Sequence, residues 1–284
     1  MKKDFLICID SDGCVFDTME VKHKECFCPA YINYFGLQAV SKYARDAWDF
    51  ANLYSKWRGI NRFPALLKAL EVLSDREEVL ERGFVTPMLP QLGQYIEEGN
   101  PTTNLGLECY LMTHPEADEL KNVLAWSNNV NKRVSELVRG VPPFPYVREN
   151  LERLAEYADI VIVSATPTEA IKREWKELGL LPMVADVKGQ ESGTKKQIIA
   201  EISKDYAPGH VLMLGDAPGD LDAAHTNGVL FYPICPDREA KSWAEFGKAA
   251  EAFLTGTYAG EKEAAYIATF EALLPSQPNW RRRS

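Results

Sequence analysis

The chain has 284 residues, with 32 Lys and Arg against 41 Asp and Glu, for a formal charge of −9 and a pI of 5.1. Hydrophobic residues are 46% and charged residues 26%, enough apolar material for a packed core, so a disordered chain is excluded. The acidic balance argues against a nucleic-acid or anionic-membrane partner, since both need clustered Lys and Arg against phosphate. The one basic run, Arg281-Arg282-Arg283, reads as a solvated tail.

The first element is an apolar run, Phe5–Ile9, that stops at Asp10 and Asp12. It is too short for a secretory h-region, and no later run approaches the roughly 18 residues of a membrane span. Six cysteines without a disulfide-framework spacing agree with a cytoplasmic protein, and Cys26-Phe27-Cys28, lacking a second ligand pair, reads as buried thiols. From Met19 to Val141 no strand run occurs. Apolar spacing predicts helices over Val21–Tyr34, Ser41–Trp57, Pro64–Leu73, Asp75–Arg82, Thr86–Glu97 and Pro115–Arg139. A structureless loop of that length is implausible inside a compact domain, so this stretch is expected to be an all-helical insertion, closed by Val141-Pro142-Pro143-Phe144-Pro145.

Strands follow at Ile160–Val163, Met183–Val187, Val211–Leu214 and Val229–Tyr232, separated by helices over Ala170–Leu178, Lys195–Ile202 and Leu221–Thr226. Alternation of this kind means an α/β fold: a Rossmann-like parallel sheet with helices on both faces, interrupted after its first strand. Beyond Pro236, helices over Arg238–Leu254 and Gly260–Leu274 carry Trp243, Phe246, Phe253, Tyr266 and Phe270, expected to pack on the sheet. The expected organisation is a discontinuous core of residues 1–18 and 142–236, a helical insertion of residues 19–141, and a C-terminal extension of residues 237–284 packing on the core.

Acidic residues gather at two strand ends. Asp10-Ser11-Asp12-Gly13 follows the first strand, and Gly215-Asp216-Ala217-Pro218-Gly219-Asp220 follows the fourth. Carboxyl ends of strands are where open α/β sheets bind ligands. If the two strands are neighbours, Asp10, Asp12, Asp216 and Asp220 converge, and that many carboxylates require a cation; an oxygen-rich shell suits Mg²⁺. Between them, Ser164-Ala165-Thr166 ends the second strand and offers Ser164 as a donor to phosphate oxygens. A lysine at a helix start, Lys195 or its neighbour Lys196, with Lys188 as a further rival, supplies the balancing charge.

In this order the four elements resemble the haloacid dehalogenase superfamily, over about Phe5–Phe16 and Phe144–Tyr232. The resemblance implies a phosphatase in which Asp10 attacks phosphorus to form an aspartyl phosphate and Asp12 serves as acid and then base. It implies Mg²⁺ on Asp10, the Asp12 carbonyl and Asp216, with Asp220 bound through water or supporting the ligands. Ser164 and Lys195 would hold the phosphoryl oxygens. Two departures from the common pattern are Gly219, where Asn often precedes the final acid, and Cys14, where Thr is common.

An insertion after the first motif is a cap in this superfamily, with hinges expected near Thr18–Val21 and Gly140–Pro145, so substrate choice is expected to lie in cap residues. Within it, Trp57-Arg58-Gly59-Ile60-Asn61-Arg62-Phe63-Pro64 places an arginine on each side of a glycine turn. The segment is similar to the specificity loop of β-phosphoglucomutase-like caps, which makes Arg62 a substrate-binding candidate; helix-capping with surface arginines is the alternative. His23, His114, His210 and His225 show no metal-binding spacing, although His23 lies close enough to the first motif to face the site. The expected substrate is a small phosphorylated metabolite. A phosphomutase on the same site and a non-catalytic binding protein that kept the fold are the rivals. A dehalogenase has no use for Asp12 as a leaving-group acid, and phosphonate cleavage through an imine would need a cap lysine that no motif identifies.

Overall fold

The computed structural model describes residues 2–282; the side chains of the Arg281-Arg282-Arg283 run lie outside the described residues. The chain divides into two compact units, Met1–Met19 with Arg139–Leu274, and Glu20–Val138 with Pro275–Ser284.

The first unit contains a five-stranded parallel sheet: β1 (Phe5–Ile9), β2 (Ala158–Val163), β3 (Asp186–Lys188), β4 (Val211–Gly215) and β5 (Leu230–Pro233), in the order β3-β2-β1-β4-β5. Side chains alternate along each strand, and both faces are covered, which is why the strands read as continuous apolar runs. Ile7 and Ile9 of β1 enter one core with Leu151, Trp175, Trp243 and Phe246. Leu6 and Cys8 enter the other with Ile198, Ile199, Ala224 and Phe270. The helices Glu239–Leu254 and Glu261–Leu273 thereby cover opposite faces of the sheet.

The second unit is helical and has its own aromatic core, in which Phe27, Tyr31, Phe35, Trp48 and Trp126 meet. Its first helix continues from Thr18–Val21 through a six-residue π-helical segment, Lys22–Phe27, into Cys28–Tyr34. Cys26 and Cys28 are buried free thiols there.

Several expected boundaries move. The Ser41 helix ends at Asn52 rather than Trp57. The expected Thr86–Glu97 helix begins only at Pro90, because Thr86 and Leu89 each precede a proline that disfavours helical backbone. The helix Asn104–Thr113, capped by the Thr103 hydroxyl, escapes sequence reading because only Leu107 of it is buried and no apolar stripe marks it. The expected strand Met183–Val187 is a 3₁₀ turn, Leu181–Met183, followed by β3. The C-terminal segment also divides: Pro275 onward belongs with the helical unit, where Pro275 accepts from the Lys56 amide at 3.3 Å. There the Trp280 ring lies edge-on to Phe50 at 5.8 Å with the Arg76 guanidinium 4.5 Å above it.

Candidate active site

Strand register gathers the acidic residues. Ile9 of β1 lies opposite Ile162 of β2 and Leu214 of β4, so the segments beginning at Asp10, Ser164 and Asp216 leave the sheet at one edge. The Asp10 amide closes the ladder on the Leu214 carbonyl at 3.0 Å, and Ser11 donates its amide to Asp10 Oδ1 at 2.8 Å. The Ser11 hydroxyl in turn accepts from the indole of buried Trp175 at 3.0 Å.

Lys195 opens the helix Lys195–Ile202, and its place is set locally by a capping box: Thr194 accepts from the Gln197 amide at 3.3 Å while Gln197 accepts from the Thr194 amide at 2.9 Å. From there its ammonium reaches Asp10 Oδ2 at 2.7 Å and Asp220 Oδ1 at 2.5 Å. The rivals point elsewhere, Lys196 to Asp222 at 2.5 Å and Lys188 to Asp186 at 3.0 Å.

Asp220 is held on both oxygens. Oδ2 accepts from the amides of Asp216 at 3.2 Å and Ala217 at 3.1 Å, closing the start of the helix Pro218–Thr226. That turn demands Gly215, because a Cβ there would sit 2.4 Å from the Asp220 side chain.

Carboxylate oxygens of Asp10, Asp216 and Asp220 lie within 4.8 Å of one another, and the three residues are buried. The Lys195 ammonium faces two of them, Asp10 and Asp220. Burial pushes Asp10 up to about 7 against the pull of Lys195, and Asp220 and Asp216 push it the same way as burial does. Burial alone would lower Lys195, but Asp10 and Asp220 outweigh it and hold the amine above its ordinary value, so it stays charged. Three buried carboxylates against one ammonium fit a divalent cation with a preference for oxygen. Asp10 and Asp216 are the carboxylates that could hold it. Asp220, whose oxygens already serve Lys195 and two amides, would reach it only through water.

The Asp12 carboxylate takes a different partner set: Oδ1 accepts from the Thr18 hydroxyl, and Oδ2 from the Thr166 hydroxyl at 2.8 Å. Neither threonine is recognisable as a site residue in the sequence, since nothing in the spacing says which way a loop hydroxyl faces. Ser164 is buried, with its amide on the Lys188 carbonyl at 3.0 Å and its hydroxyl accepting from the Thr166 amide at 3.2 Å. The hydroxyl hydrogen remains available to an incoming oxygen. Burial pushes the Cys8 thiol up to about 12 and the Cys14 thiol well above its ordinary value, so neither is a nucleophile at neutral pH.

The other candidates belong to the helical unit. Arg62 is the first residue of the helix Arg62–Ser74, after the N-cap Asn61. Its guanidinium lies 5.1 Å above the Phe27 ring and donates to the Ser127 hydroxyl at 3.0 Å and to Asn131 Oδ1 at 2.7 Å. All its hydrogen-bond acceptors are neutral, and it makes no ion pair among the described residues. Arg58 is buried and donates to the Leu53 carbonyl at 2.9 Å, so the segment is not a turn carrying two surface arginines. His23 stacks on Phe27 at 4.8 Å and accepts from the Trp48 indole at 3.2 Å, which gives it a place in the aromatic core of its own unit.

No family model matches the chain, and no curated protein does. Among solved structures it is similar to a predicted phosphoglycolate phosphatase from Haemophilus somnus, at 15% identity over 88% of this chain and 99% of that one, with a TM-score of 0.49. It is similar to a haloacid dehalogenase-like hydrolase from Xanthomonas campestris, at 13% identity over 90% and 96%, with a TM-score of 0.48. A defluorinating L-2-haloacid dehalogenase gives 14% over 81% and 83%, with a TM-score of 0.37. Likeness at this level leaves the chemistry to be argued from the residues. Among the described residues no helix is long and apolar enough to cross a membrane.

Proposed function

We propose that the protein is a Mg²⁺-dependent phosphomonoesterase of the haloacid dehalogenase type, acting in the cytoplasm on a small phosphorylated metabolite. The observation that carries this reading is the pairing of two differently held aspartates at one strand end. Asp10 faces Lys195 and two further buried carboxylates, whereas the Asp12 carboxylate accepts from the Thr18 and Thr166 hydroxyls, one on each oxygen. Such a division suits a nucleophile beside a proton carrier.

In this mechanism an Asp10 oxygen attacks phosphorus and the bond from phosphorus to the leaving oxygen breaks, while Asp12 gives that oxygen a proton. Water then attacks phosphorus of the aspartyl phosphate, Asp12 takes the water's proton, and inorganic phosphate leaves with Asp10 regenerated. Lys195 and Ser164 hold the phosphoryl oxygens through the transfer. A bound Mg²⁺ would screen the charge between the phosphoryl oxygens and Asp10. A dehalogenase would leave Asp12 without a task, because halide departs unprotonated. Arg62, a cation whose partners among the described residues are all neutral, is the residue of the helical unit to which we assign the binding of an anionic group.

The test is phosphate release from p-nitrophenyl phosphate and a panel of phosphorylated metabolites, with Mg²⁺ and with a chelator. Release that needs the metal and disappears in Asp10→Asn supports the reading. Release that survives in Asp10→Asn refutes it, and isomerisation of a sugar phosphate without net release replaces it with a mutase.

A further inference from the structure

We infer that Thr166 is a positioning residue for Asp12: its hydroxyl, anchored from the end of β3, fixes the orientation in which Asp12 passes a proton to the leaving group. The inference rests on the phosphatase reading and adds to it a residue outside the recognised motifs.

The geometry is a clamp. Thr18 and Thr166 donate to opposite oxygens of the Asp12 carboxylate, so the carboxylate plane is fixed at both ends rather than at one. Asp12 is partly exposed, and a solvated carboxylate held at one oxygen would rotate. Hydroxyls suit the task because each can donate to the carboxylate or accept from the carboxylic acid, so the clamp survives both halves of a proton cycle. A lysine or a main-chain N–H could only donate.

Thr166 is itself anchored by its main chain. Its amide donates to the Ser164 hydroxyl at 3.2 Å, and its carbonyl accepts from the Gln190 amide at 3.0 Å. Pro167 follows and restricts its backbone to extended conformations. Behind it the chain passes so closely that a Cβ on Gly189 would lie 2.7 Å from the Thr166 carbonyl and 2.5 Å from the Thr168 amide. Thr168 is tied down in turn, its hydroxyl donating to Glu191 at 2.8 Å and accepting from the Gly189 amide at 3.2 Å. The end of β3 therefore sets the place of one hydroxyl, and that hydroxyl sets Asp12. A loop threonine with only a solubilising role would not need its backbone held on both sides.

The experiment compares Thr166→Val and Thr166→Ser with the wild type on two phosphate esters. An alkyl phosphate has a leaving oxygen that must be protonated, whereas p-nitrophenolate departs without help. The valine variant is expected to lose about 10–100-fold in kcat on the alkyl ester, about 3-fold or less on the p-nitrophenyl ester, and little in KM on either. Serine is expected to restore most of the loss. Equal losses on both esters, or a serine variant as poor as the valine one, would overturn the inference. A crystal structure of Thr166→Val supplies a readout independent of activity. Rotation of the Asp12 carboxylate away from its wild-type position supports the inference, and an unmoved carboxylate overturns it. If Asp12 moves but the wild type hydrolyses neither ester, the phosphatase reading fails, and with it the proton transfer, while the orientation of the Asp12 carboxylate by Thr166 is upheld.

Discussion

Asp10→Asn removes a buried negative charge from a place that already holds two others, and the consequence for stability can be worked out. A carboxyl that titrates near 7 in the folded chain and near 3.8 in the unfolded one binds a proton more tightly when folded. Its ionisation therefore costs nothing below pH 3.8, costs progressively more as pH rises, and reaches its full effect above 7, where it makes folding about 4 kcal/mol less favourable. Asparagine avoids that cost but has a single acceptor oxygen. It cannot serve both the Ser11 amide and Lys195, so about 1 kcal/mol is lost again. The net expectation at pH 8 in chelator is a variant more stable by about 3 kcal/mol, or roughly 6–10 °C in thermal unfolding of the sheet unit. At pH 5, where folded Asp10 is protonated, the gap should shrink to within about 1 kcal/mol. Calorimetry at the two pH values checks this, and repeating it with Mg²⁺ adds a control, since the cation should stabilise the wild type far more than the variant. A variant that melts no higher than the wild type at pH 8, or by the same margin at both pH values, would refute the electrostatic account of the site.

Two further outcomes follow from the contacts of Lys195 and of Trp280. Lys195→Met should lower kcat by at least about 100-fold, because it leaves buried Asp220 and Asp10 without their ammonium, while Lys196→Met, which loses only an exposed partner in Asp222, should stay within about 2-fold in steady-state kinetics. Trp280→Ala should weaken the helical unit by about 2 kcal/mol in denaturant titration, through loss of the Phe50 and Arg76 contacts; the indole N–H has no hydrogen-bond partner among the described residues, so Trp280→Phe should recover much of the loss.

The candidate residues that the structure brings together, Asp10, Asp216, Asp220 and Lys195, were legible in the sequence because each lies just past a strand end or at a helix start. Asp10-Ser11-Asp12-Gly13 terminates an apolar run, Gly215-Asp216 terminates another, and Thr194-Lys195-Lys196-Gln197 carries the Thr and Gln of a capping box. Local pattern of this kind determines the order of elements, the α/β class and the helical insertion, since buried strands and amphipathic helices leave periodicities that any tertiary arrangement must respect. The same pattern misled where local preference and packing diverge. The helix Asn104–Thr113 buries little and left no stripe, and prolines held back the start of the Pro90–Glu97 helix.

What tertiary structure alone decided concerns direction and partnership. Strand order placed β1 between β2 and β4, which gathered three of the four expected aspartates, Asp10, Asp216 and Asp220, within 4.8 Å, while the Asp12 carboxylate turns to Thr18 and Thr166. Helix phase decided between Lys195 and Lys196, because adjacent residues on a helix point about 100° apart, and Lys188, at the end of β3, pairs with Asp186 instead of Asp10. One of the two hydroxyls on Asp12, that of Thr166, comes from 154 residues away, the other, that of Thr18, from 6, and the neutral network that holds Arg62 comes from 65 and 69 residues away. Sequence records which groups are available to the chain; which group a side chain meets depends on the three-dimensional path that returns distant segments to one place.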